Sequence, residues 1–431
     1  MSGIINYDYL RPLKANLVKE LHSKEFVVKK QLAIKIYNDA TILPLKREIS
    51  ADSFWGKGGV IDIEGNYVEL SSIPKLINGS YNFDDYDVSD QTVVYCGYFR
   101  HHWGEFIAFC LPRLYLAVND NDEIDSYIFF TDENTQYEIS GNYKLILKNL
   151  GVLDKVKIIS KPTKYRKVII PELSYDSTKS YYSKEYLSIF DKINNNSHSG
   201  LTEKHDKIFL TRAGLKKSSN MESGTEMLDD FFSKNGFFVL SPEQISLDDM
   251  IYYIDNARTV ACISGTLPHN MLFARERGKG KELVIIERNA LFNLYQPETN
   301  KMINFNVTFV DGNTAIYPVE LSYGPFIYTF NDYMKRYASD NGYVFPDDKF
   351  FTEKYKKMIF RDYIKRYSKE HGLCLYMPAW NKKQSDVIFE AYNDGEAFFE
   401  DYLKGKKYYK LSQYFSVNYI KRIIKKLLKR R

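Results

Sequence analysis

The ten residues from Thr259 to Pro268 have the sequence TVACISGTLP, an apolar run that passes directly into a turn with one glycine. The length of the run and its β-branched side chains predict a fully buried strand at 259–263. The proline predicts that a helix begins near residue 268. Just upstream, apolar side chains recur at the spacing of one buried helix face, at Leu247, Met250, Ile251 and Ile254. A strand between two helices is typical of a parallel α/β sheet.

The same alternation extends on both sides of this stretch. Further strands are predicted at 208–210, 237–240 and 283–286, and a helix is predicted at 225–234, where Asn235-Gly236 is a stop signal. Together these elements predict a doubly wound α/β unit. Ligands of such sheets bind at the carboxyl ends of the strands, where the turns contain Thr211-Arg212, Ser241-Pro242, Ser264-Gly265 and Glu287-Arg288.

The first half of the chain has a weaker form of this pattern. Strands are predicted at 92–95, 127–130, 156–159 and 168–170, with helical segments at 105–118 and 142–150. Residues 174–206 are polar, and the sequence NNNSHSG at 194–200 is the best linker candidate. We therefore expect an α/β protein with four parts: an N-terminal α/β domain at 1–205, a second α/β domain at 206–325, a helical extension at 326–403 and a basic helix at 404–431.

Cysteine use and the lack of long apolar runs favour a cytoplasmic protein. None of the four cysteines forms a C-x-x-C pair, and each lies in an apolar or mixed segment, which predicts buried thiols in a reducing compartment: Cys96, Cys110, Cys262 and Cys374. The first twenty residues contain no apolar signal region. No run of about 18 apolar residues occurs, so no bilayer-spanning segment is expected.

Charge is distributed unevenly along the chain. Residues 404–431 contain eleven Lys or Arg and no acid, so the rest of the chain holds 49 of the 60 basic residues and all 55 acidic ones. An acidic body argues against a nucleic-acid enzyme with a basic cleft. Five aliphatic residues line one face of the predicted C-terminal helix and basic residues line the other, so residues 414–431 are expected to bind an anionic membrane surface.

Polar residues in the second half could hold a diphosphate. Ser264, Gly265 and Thr266 follow the strand at 259–263, where a glycine permits close approach of the backbone and hydroxyls add donors. His269 and Asn270 continue the same segment. Arg212 follows the strand at 208–210 and could bind phosphate through two hydrogen bonds. Glu287 ends the strand at 283–286, where an acid can accept hydrogen bonds from ribose hydroxyls.

A second polar cluster follows the strand at 92–95 in the first half. Within the sequence GYFRHHWGE at 97–105, His101, His102 and Glu105 could each accept a proton as a general base. A metal site is not expected, because adjacent histidines in a strand share a metal poorly and no further ligands follow at diagnostic spacing.

Several segments resemble family 61 of the glycosyltransferases, which acts in capsule and glycan synthesis. Members show a segment of the form W-G-H-F-x-x-E-x-L-P-R-L, which is similar to WGEFIAFCLPRL at 103–114. FLTR at 209–212, GFFV at 236–239 and NARTV at 256–260 follow in the family's order. The family segment H-G-A-G-L-T-N-x-x-F is similar to SGTLPHNMLF at 264–273. The resemblance covers roughly residues 90–290.

This resemblance implies two Rossmann-like domains of the GT-B type, with the donor nucleotide in the second. It also implies an inverting, metal-independent transfer of a sugar from a nucleotide-sugar, expected to be UDP-linked, with no other cofactor. The acceptor would be a polysaccharide or lipid-linked glycan at the cytoplasmic membrane face. The sequence departs from the family at five positions. Glu105 and Ser264 stand where the family has histidines. Phe109 replaces the acid of the first segment, Leu267 replaces the second glycine of the later segment, and Met250 replaces the usual glutamine of the preceding helix. A pyruvyl- or other group transferase, or an inactive glycan- or partner-binding scaffold, remains an alternative.

Overall fold

The computed structural model of the protein describes residues 3–47, 56–73, 77–119, 122–133, 137–215, 222–278, 280–288, 292–313 and 326–371. The basic helix predicted at 404–431, its membrane-binding part at 414–431 and residues 372–403 of the extension predicted at 326–403 lie outside these residues, as does Cys374. Within the described part of the chain, every helix is too short or too polar to span a lipid bilayer.

Strands occur throughout the described chain. In chain order they are β1 (Ile5–Tyr9), β2 (Val27–Lys29), β3 (Ile34–Lys46), β4 (Lys57–Ile61), β5 (Asp87–Tyr98), β6 (Ser126–Phe130), β7 (Val156–Ile159), β8 (Thr163–Pro171), β9 (Tyr175–Asp176), β10 (Tyr181–Ser183), β11 (Lys207–Leu210), β12 (Glu222–Ser223), β13 (Phe238–Leu240), β14 (Thr259–Ile263), β15 (Glu282–Glu287), β16 (Asn306–Asp311) and β17 (Phe326–Ile327).

Helices connect many of these strands. The α-helices are α1 (Pro12–Ser23), α2 (Trp103–Glu105), α3 (Gly141–Asn149), α4 (Lys184–Asn195), α5 (Thr225–Lys234), α6 (Leu247–Asn256), α7 (Gln296–Ile303), α8 (Asp332–Asp340) and α9 (Glu353–His371). A π-helical turn forms at Phe106–Cys110. Short 3-10 segments form at Glu69–Ser71, Leu111–Ala117, Leu153–Lys155, Pro242–Gln244, Leu267–Phe273 and Asp348–Phe351.

Six parallel strands form the sheet that we call the C-sheet, in the order β1-β16-β15-β14-β11-β13. Its central strands β14 and β15 are almost completely buried apolar runs, as expected for a parallel sheet covered on both faces. The chain runs from β11 outward to β13 and then returns to β14 on the other side of β11. This reversal leaves a crevice at the carboxyl ends of β11 and β14, where ligands of such sheets bind.

A second six-stranded sheet, the N-sheet, has the order β4-β3-β8-β5-β6-β7. Strands β8, β5, β6 and β7 are mutually parallel, whereas β3 runs antiparallel to both β8 and β4. The N-sheet is therefore mixed, and only residues 160–162 join β7 to β8. The prediction of an α/β fold with parallel strands is confirmed, and the helix-by-helix alternation is confined mainly to the C-sheet.

Sequence prediction and structure differ at the N-terminus. Strand β1 pairs with β16 in the C-sheet, with Ile5 opposite Val307, although 1–205 was expected to form one domain. The pairing extends the C-sheet by one strand. An ion pair just after β1 holds this strand in place, since Arg11 Nε lies 3.0 Å from Asp311 Oδ2. This long-range partner leaves no local signal in the sequence.

The expected linker at 194–200 is also corrected. Helix α4 extends to Asn195, and Asn194 is buried. Its Nδ2 donates to Asp255 Oδ2 at 2.9 Å and to the carbonyl of Phe273 at 2.7 Å. A polar segment can therefore be a packed junction when its amides find partners in another element.

Two expected helices have altered geometry. The helix predicted at 105–118 is a continuous helical segment over 103–117 that changes from α to π to 3-10, with Pro112 near the second change. Proline lacks an N–H, so an α-helix cannot continue through it unchanged. The helix predicted from residue 268 is the buried 3-10 segment Leu267–Phe273. By contrast, α6 is a regular α-helix, and Ser246 caps it because its hydroxyl accepts from the Asp249 amide at 3.1 Å.

One apolar core joins the two sheets. A single cluster of buried side chains includes Phe99 and Phe106 beside the N-sheet and reaches the C-sheet through contacts such as Phe190 with Phe273, whose ring centroids are 5.0 Å apart. A smaller cluster covers the other face of the N-sheet. Cys96, Cys110 and Cys262 are buried free thiols, as predicted. The shared core fixes the carboxyl edge of the C-sheet against the segment that follows β5.

Lys14 provides a test of how the N-terminus is held. It is fully buried, and its Nζ lies 2.7 Å from Glu287 Oε2 and 3.8 Å from Asp311 Oδ1. Lys14→Met would leave two buried carboxylates without this cation, so we expect the free energy of unfolding to fall by about 3–5 kcal/mol in urea titrations. Lys35→Met, at an exposed position of β3, is the control. Equal stability of the two variants would contradict the stated role of Lys14.

Candidate functional site

A cleft of about 450 Å³ lies between the carboxyl edge of the C-sheet and the segment that follows β5. It brings together every residue that the sequence analysis selected: His101, His102, Glu105, Arg212, Ser264, Gly265, Thr266, His269, Asn270 and Glu287. The turns after β11, β13, β14 and β15 form one wall, and residues 101–109 form the opposite wall. The two polar clusters, about 110 residues apart or more in sequence, therefore face a common space.

Two arginines share one carboxylate in this cleft. Arg212 Nε lies 2.7 Å from Glu222 Oε1, and Arg288 Nη1 lies 3.4 Å from the same oxygen. The Glu222 side chain is fully buried, and its other oxygen accepts from the Tyr328 hydroxyl at 2.8 Å. We call Arg212, Arg288 and Glu222 the arginine group. Its net charge is +1, so it can attract an anion that enters the cleft.

The turn after β14 depends on glycine. Gly265 has φ +122°, and a Cβ there would lie 2.9 Å from Arg288 Nη2. The carbonyl of Gly265 accepts from Asn293 Nδ2 at 3.0 Å, and Ser264 Oγ accepts from the Arg288 amide at 3.2 Å. Glycine therefore lets the backbone come close to the arginine group without displacing it.

His269 and Asn270 hold this wall in place. His269 is buried, its Nε2 lies 3.3 Å from Asn293 Nδ2, and burial lowers its pKa to about 4. Because the asparagine amide is the donor, His269 Nε2 is the acceptor of a neutral ring. Asn270 Oδ1 accepts from Trp103 Nε1 at 2.6 Å, across the cleft's two walls. Both side chains line the cleft, and one polar atom of each forms a hydrogen bond within the protein.

Glu287 has a different environment from the one expected for a ribose contact. Its carboxylate is buried and accepts a hydrogen bond from Lys14 Nζ at 2.7 Å. Burial raises its pKa, and Lys14 acts in the opposite direction. This carboxylate is therefore part of the attachment of α1 to the C-sheet, although the residue also lines the cleft.

Glu105 and His102 form the catalytic candidates on the opposite wall. Glu105 Oε2 lies 2.5 Å from Arg100 Nη1, which orients the carboxylate. His102 Nδ1 accepts from the Glu105 amide at 3.4 Å, so the neutral ring carries its proton on Nε2. Burial lowers the pKa of His102, with Glu105 opposing and Arg100 and Arg212 adding to the effect. A neutral His102 is thus a donor at Nε2.

His101 lies in an aromatic cluster. Its ring stacks on Tyr143 with centroids 5.0 Å apart and meets Tyr137 edge-on at 4.8 Å. Burial lowers its pKa. These ring contacts distinguish His101 from Glu105 and His102, which the sequence alone left as equivalent candidates.

Close approach of the two walls requires Gly104. A Cβ at this position would lie 2.7 Å from Thr266 Cγ2, so the helical segment after β5 meets the turn after β14 directly. With the bond from Trp103 to Asn270, this contact sets the width of the cleft.

Sequence reasoning missed several residues of the site. Arg288 was visible beside Glu287 at a strand end, and the same strand-end argument could have selected it. Glu222 lies in a two-residue strand and gave no signal. Among the described residues, no group of three His, Cys, Asp or Glu side chains is arranged to hold a metal.

Comparison with known proteins adds no relative. No family model matches the chain, and no curated protein matches it either. The resemblance to glycosyltransferase family 61 therefore rests on the motifs quoted above and stays a prediction.

The buried His269 gives a pH test of the cleft wall. Its pKa in the folded protein is about 4 and its ordinary value is 6.5, so the unfolded chain binds a proton first as pH falls. Protonation should therefore remove about 3 kcal/mol of stability between pH 6.5 and pH 4. His269→Gln lacks this loss, and its free energy of unfolding, measured in urea over pH 7 to 4, should depend less on pH. His198→Gln, at an exposed position, should keep the wild-type slope. Equal slopes for wild type and His269→Gln would refute the assignment.

Proposed function

We propose that the protein is an inverting glycosyltransferase of the GT-B type. It would move a sugar from a nucleotide-sugar to a hydroxyl of a polysaccharide or lipid-linked glycan, at the cytoplasmic face of a membrane to which residues 414–431 bind. The observation that carries this proposal is the arginine group beside the Gly265 turn, which faces a carboxylate, Glu105, across one cleft.

The arginine group and the Gly265 turn are suited to a diphosphate. Two guanidinium groups held by one buried carboxylate present several N–H donors from fixed positions. Ser264 and Thr266 add hydroxyls to the same wall, and Gly265 allows a phosphate to approach the backbone. His102 Nε2 can donate from the opposite wall. These N–H and O–H groups would bind the two phosphates of the nucleotide-sugar.

Glu105 is the proposed general base. Arg100 fixes its carboxylate, whereas the lone pair on His102 Nδ1 is occupied by a backbone amide. In the proposed reaction Glu105 accepts the proton of the acceptor hydroxyl, and the oxygen attacks the anomeric carbon from the face opposite the diphosphate. The bond from that carbon to phosphate breaks, and its electron pair leaves with the diphosphate. A single displacement of this kind inverts the anomeric centre.

Donor binding can be tested at Arg288. Arg288→Ala removes charge-assisted hydrogen bonds to phosphate, so the Kd of the nucleotide diphosphate should rise about 10- to 100-fold by calorimetry. A panel of UDP-, GDP-, CMP- and dTDP-sugars first identifies the nucleotide that binds the wild type. Arg166→Ala, an exposed arginine of the N-sheet, is the control. An unchanged Kd in Arg288→Ala would contradict the diphosphate site.

The base can be tested separately. Glu105→Gln keeps the shape of the side chain but cannot accept the proton, so transfer should fall by about 10²-fold or more while donor affinity is kept. Nucleotide release from the donor identified by the panel is the measurement. Glu64→Gln, at an exposed position, should behave as the wild type does. Full turnover by Glu105→Gln would remove it from this role.

A further inference from the structure

The strand order of the C-sheet sets the direction of the cleft. The turns that line it follow β13, β11, β14 and β15, which are neighbours in that order. Neighbouring strands lie about 4.8 Å apart, so the outer two turns are separated by about 14 Å. The turns after β11 and β13 pack together, since a Cβ on Gly214 would lie 2.8 Å from Ser241 Oγ. Arg212 and Gly265 follow the two inner strands of this row, and Arg288, which follows β15, shares the Glu222 carboxylate with Arg212.

One end of the cleft contains Glu105. Phe109, on the same helical segment, contacts the ring of Tyr295 edge-on with centroids 6.3 Å apart. Tyr295 follows β15 in the chain, and all three side chains line the cleft. Because the proposed base lies at this end, the transferred sugar must be here.

The opposite end combines apolar side chains with one acid and one amide. Leu215, Pro242 and Met250 line it, together with Glu243 and with Asn142 at the start of α3. Asn142 Oδ1 accepts from the Leu247 amide at 3.0 Å, which places Nδ2 on the other side of the amide group. Nδ2 donates to none of the described residues. A slot of this kind suits a flat heteroaromatic ring that carries a carbonyl oxygen.

We propose that this end is the nucleobase subsite and that Asn142 Nδ2 donates a hydrogen bond to the O4 carbonyl oxygen of a uracil base. The inference rests on the proposed function and adds to it the orientation of the donor. The base lies toward β13, the diphosphate crosses the arginine group, and the sugar lies at Glu105. A residue from the N-sheet side therefore takes part in recognising a nucleotide whose phosphates are bound by the C-sheet.

The position of His101 agrees with this orientation. His101 stacks on Tyr143, the residue that follows Asn142 in α3. His101 therefore packs against α3, the helix that carries Asn142.

UDP and CDP are the probes, because uracil has an acceptor oxygen where cytosine has a donor amino group. Wild-type protein should bind UDP about tenfold more tightly than CDP by calorimetry. Asn142→Asp keeps the oxygen that accepts from Leu247 but replaces the donor with an acceptor. The ratio of the two Kd values should then fall at least tenfold. The added negative charge repels both diphosphates alike, so the ratio is not affected by it.

The ratio of the UDP and CDP Kd values also defines the control and the outcomes that would contradict the inference. Asn38→Asp, at an exposed position of β3, should leave the ratio unchanged. A ratio that is equal in wild type and Asn142→Asp would overturn the inference while the proposed function is retained. Failure of wild-type protein to bind UDP and CDP would also overturn it. The proposed function fails with it only if no nucleotide-sugar in the panel binds.

Discussion

Buried charges at the carboxyl edge of the C-sheet must be paired, and this requirement organises the rest of the molecule. The side chains of Glu222, Glu287 and Asp311 at this edge are almost completely buried and have little access to water. Lys14 and Arg11 meet Glu287 and Asp311 at one part of this edge, and Glu222 meets two arginines at another. An unpaired carboxylate in either place would be strongly destabilising. These ion pairs therefore hold the N-terminal segment at one part of the edge and β12 and β17 at the other.

The pairing of Glu222 explains why the C-terminal part of the described chain matters for the site. Tyr328 donates to Glu222, and the Arg288 guanidinium lies 4.1 Å from the centroid of the Phe326 ring. Ser223, next to Glu222, donates to Asp362 of α9 at 2.9 Å. The residues that position the arginines are thus themselves fixed by β17 and α9. The helical extension thus helps to hold the arginine group in position through the contact between α9 and Ser223.

Local pattern predicted much of the C-sheet and little of what surrounds it. The strand at 259–263 and the helix at 225–234 have the bounds that were predicted, because their apolar spacing has a clear period and their ends carry stop signals. The location of β1 in the C-sheet and the packing of Asn194 depend on partners far away in the chain. The residues of the candidate site could be selected because strand ends are identifiable in sequence, and the structure brings them into one cleft. The partners of those residues, Lys14 for Glu287 and Glu222 for Arg212, were not, since ion pairs between distant segments have no period.

The charges in the cleft indicate how the site could stabilise a transition state more than the bound substrate. Glu222 neutralises one of its two arginines, His269 is neutral, and His102 is a neutral donor. These residues therefore give the cleft little net charge but several N–H and O–H groups in fixed orientations. When a glycosidic bond to phosphate breaks, the departing diphosphate gains negative charge. Fixed donors interact more strongly with that growing charge than with the intact donor, and they need no rearrangement to do so. Under the proposed function, the rigid arrangement of Arg212 and Arg288 around Glu222 would therefore stabilise the transition state more than the bound substrate.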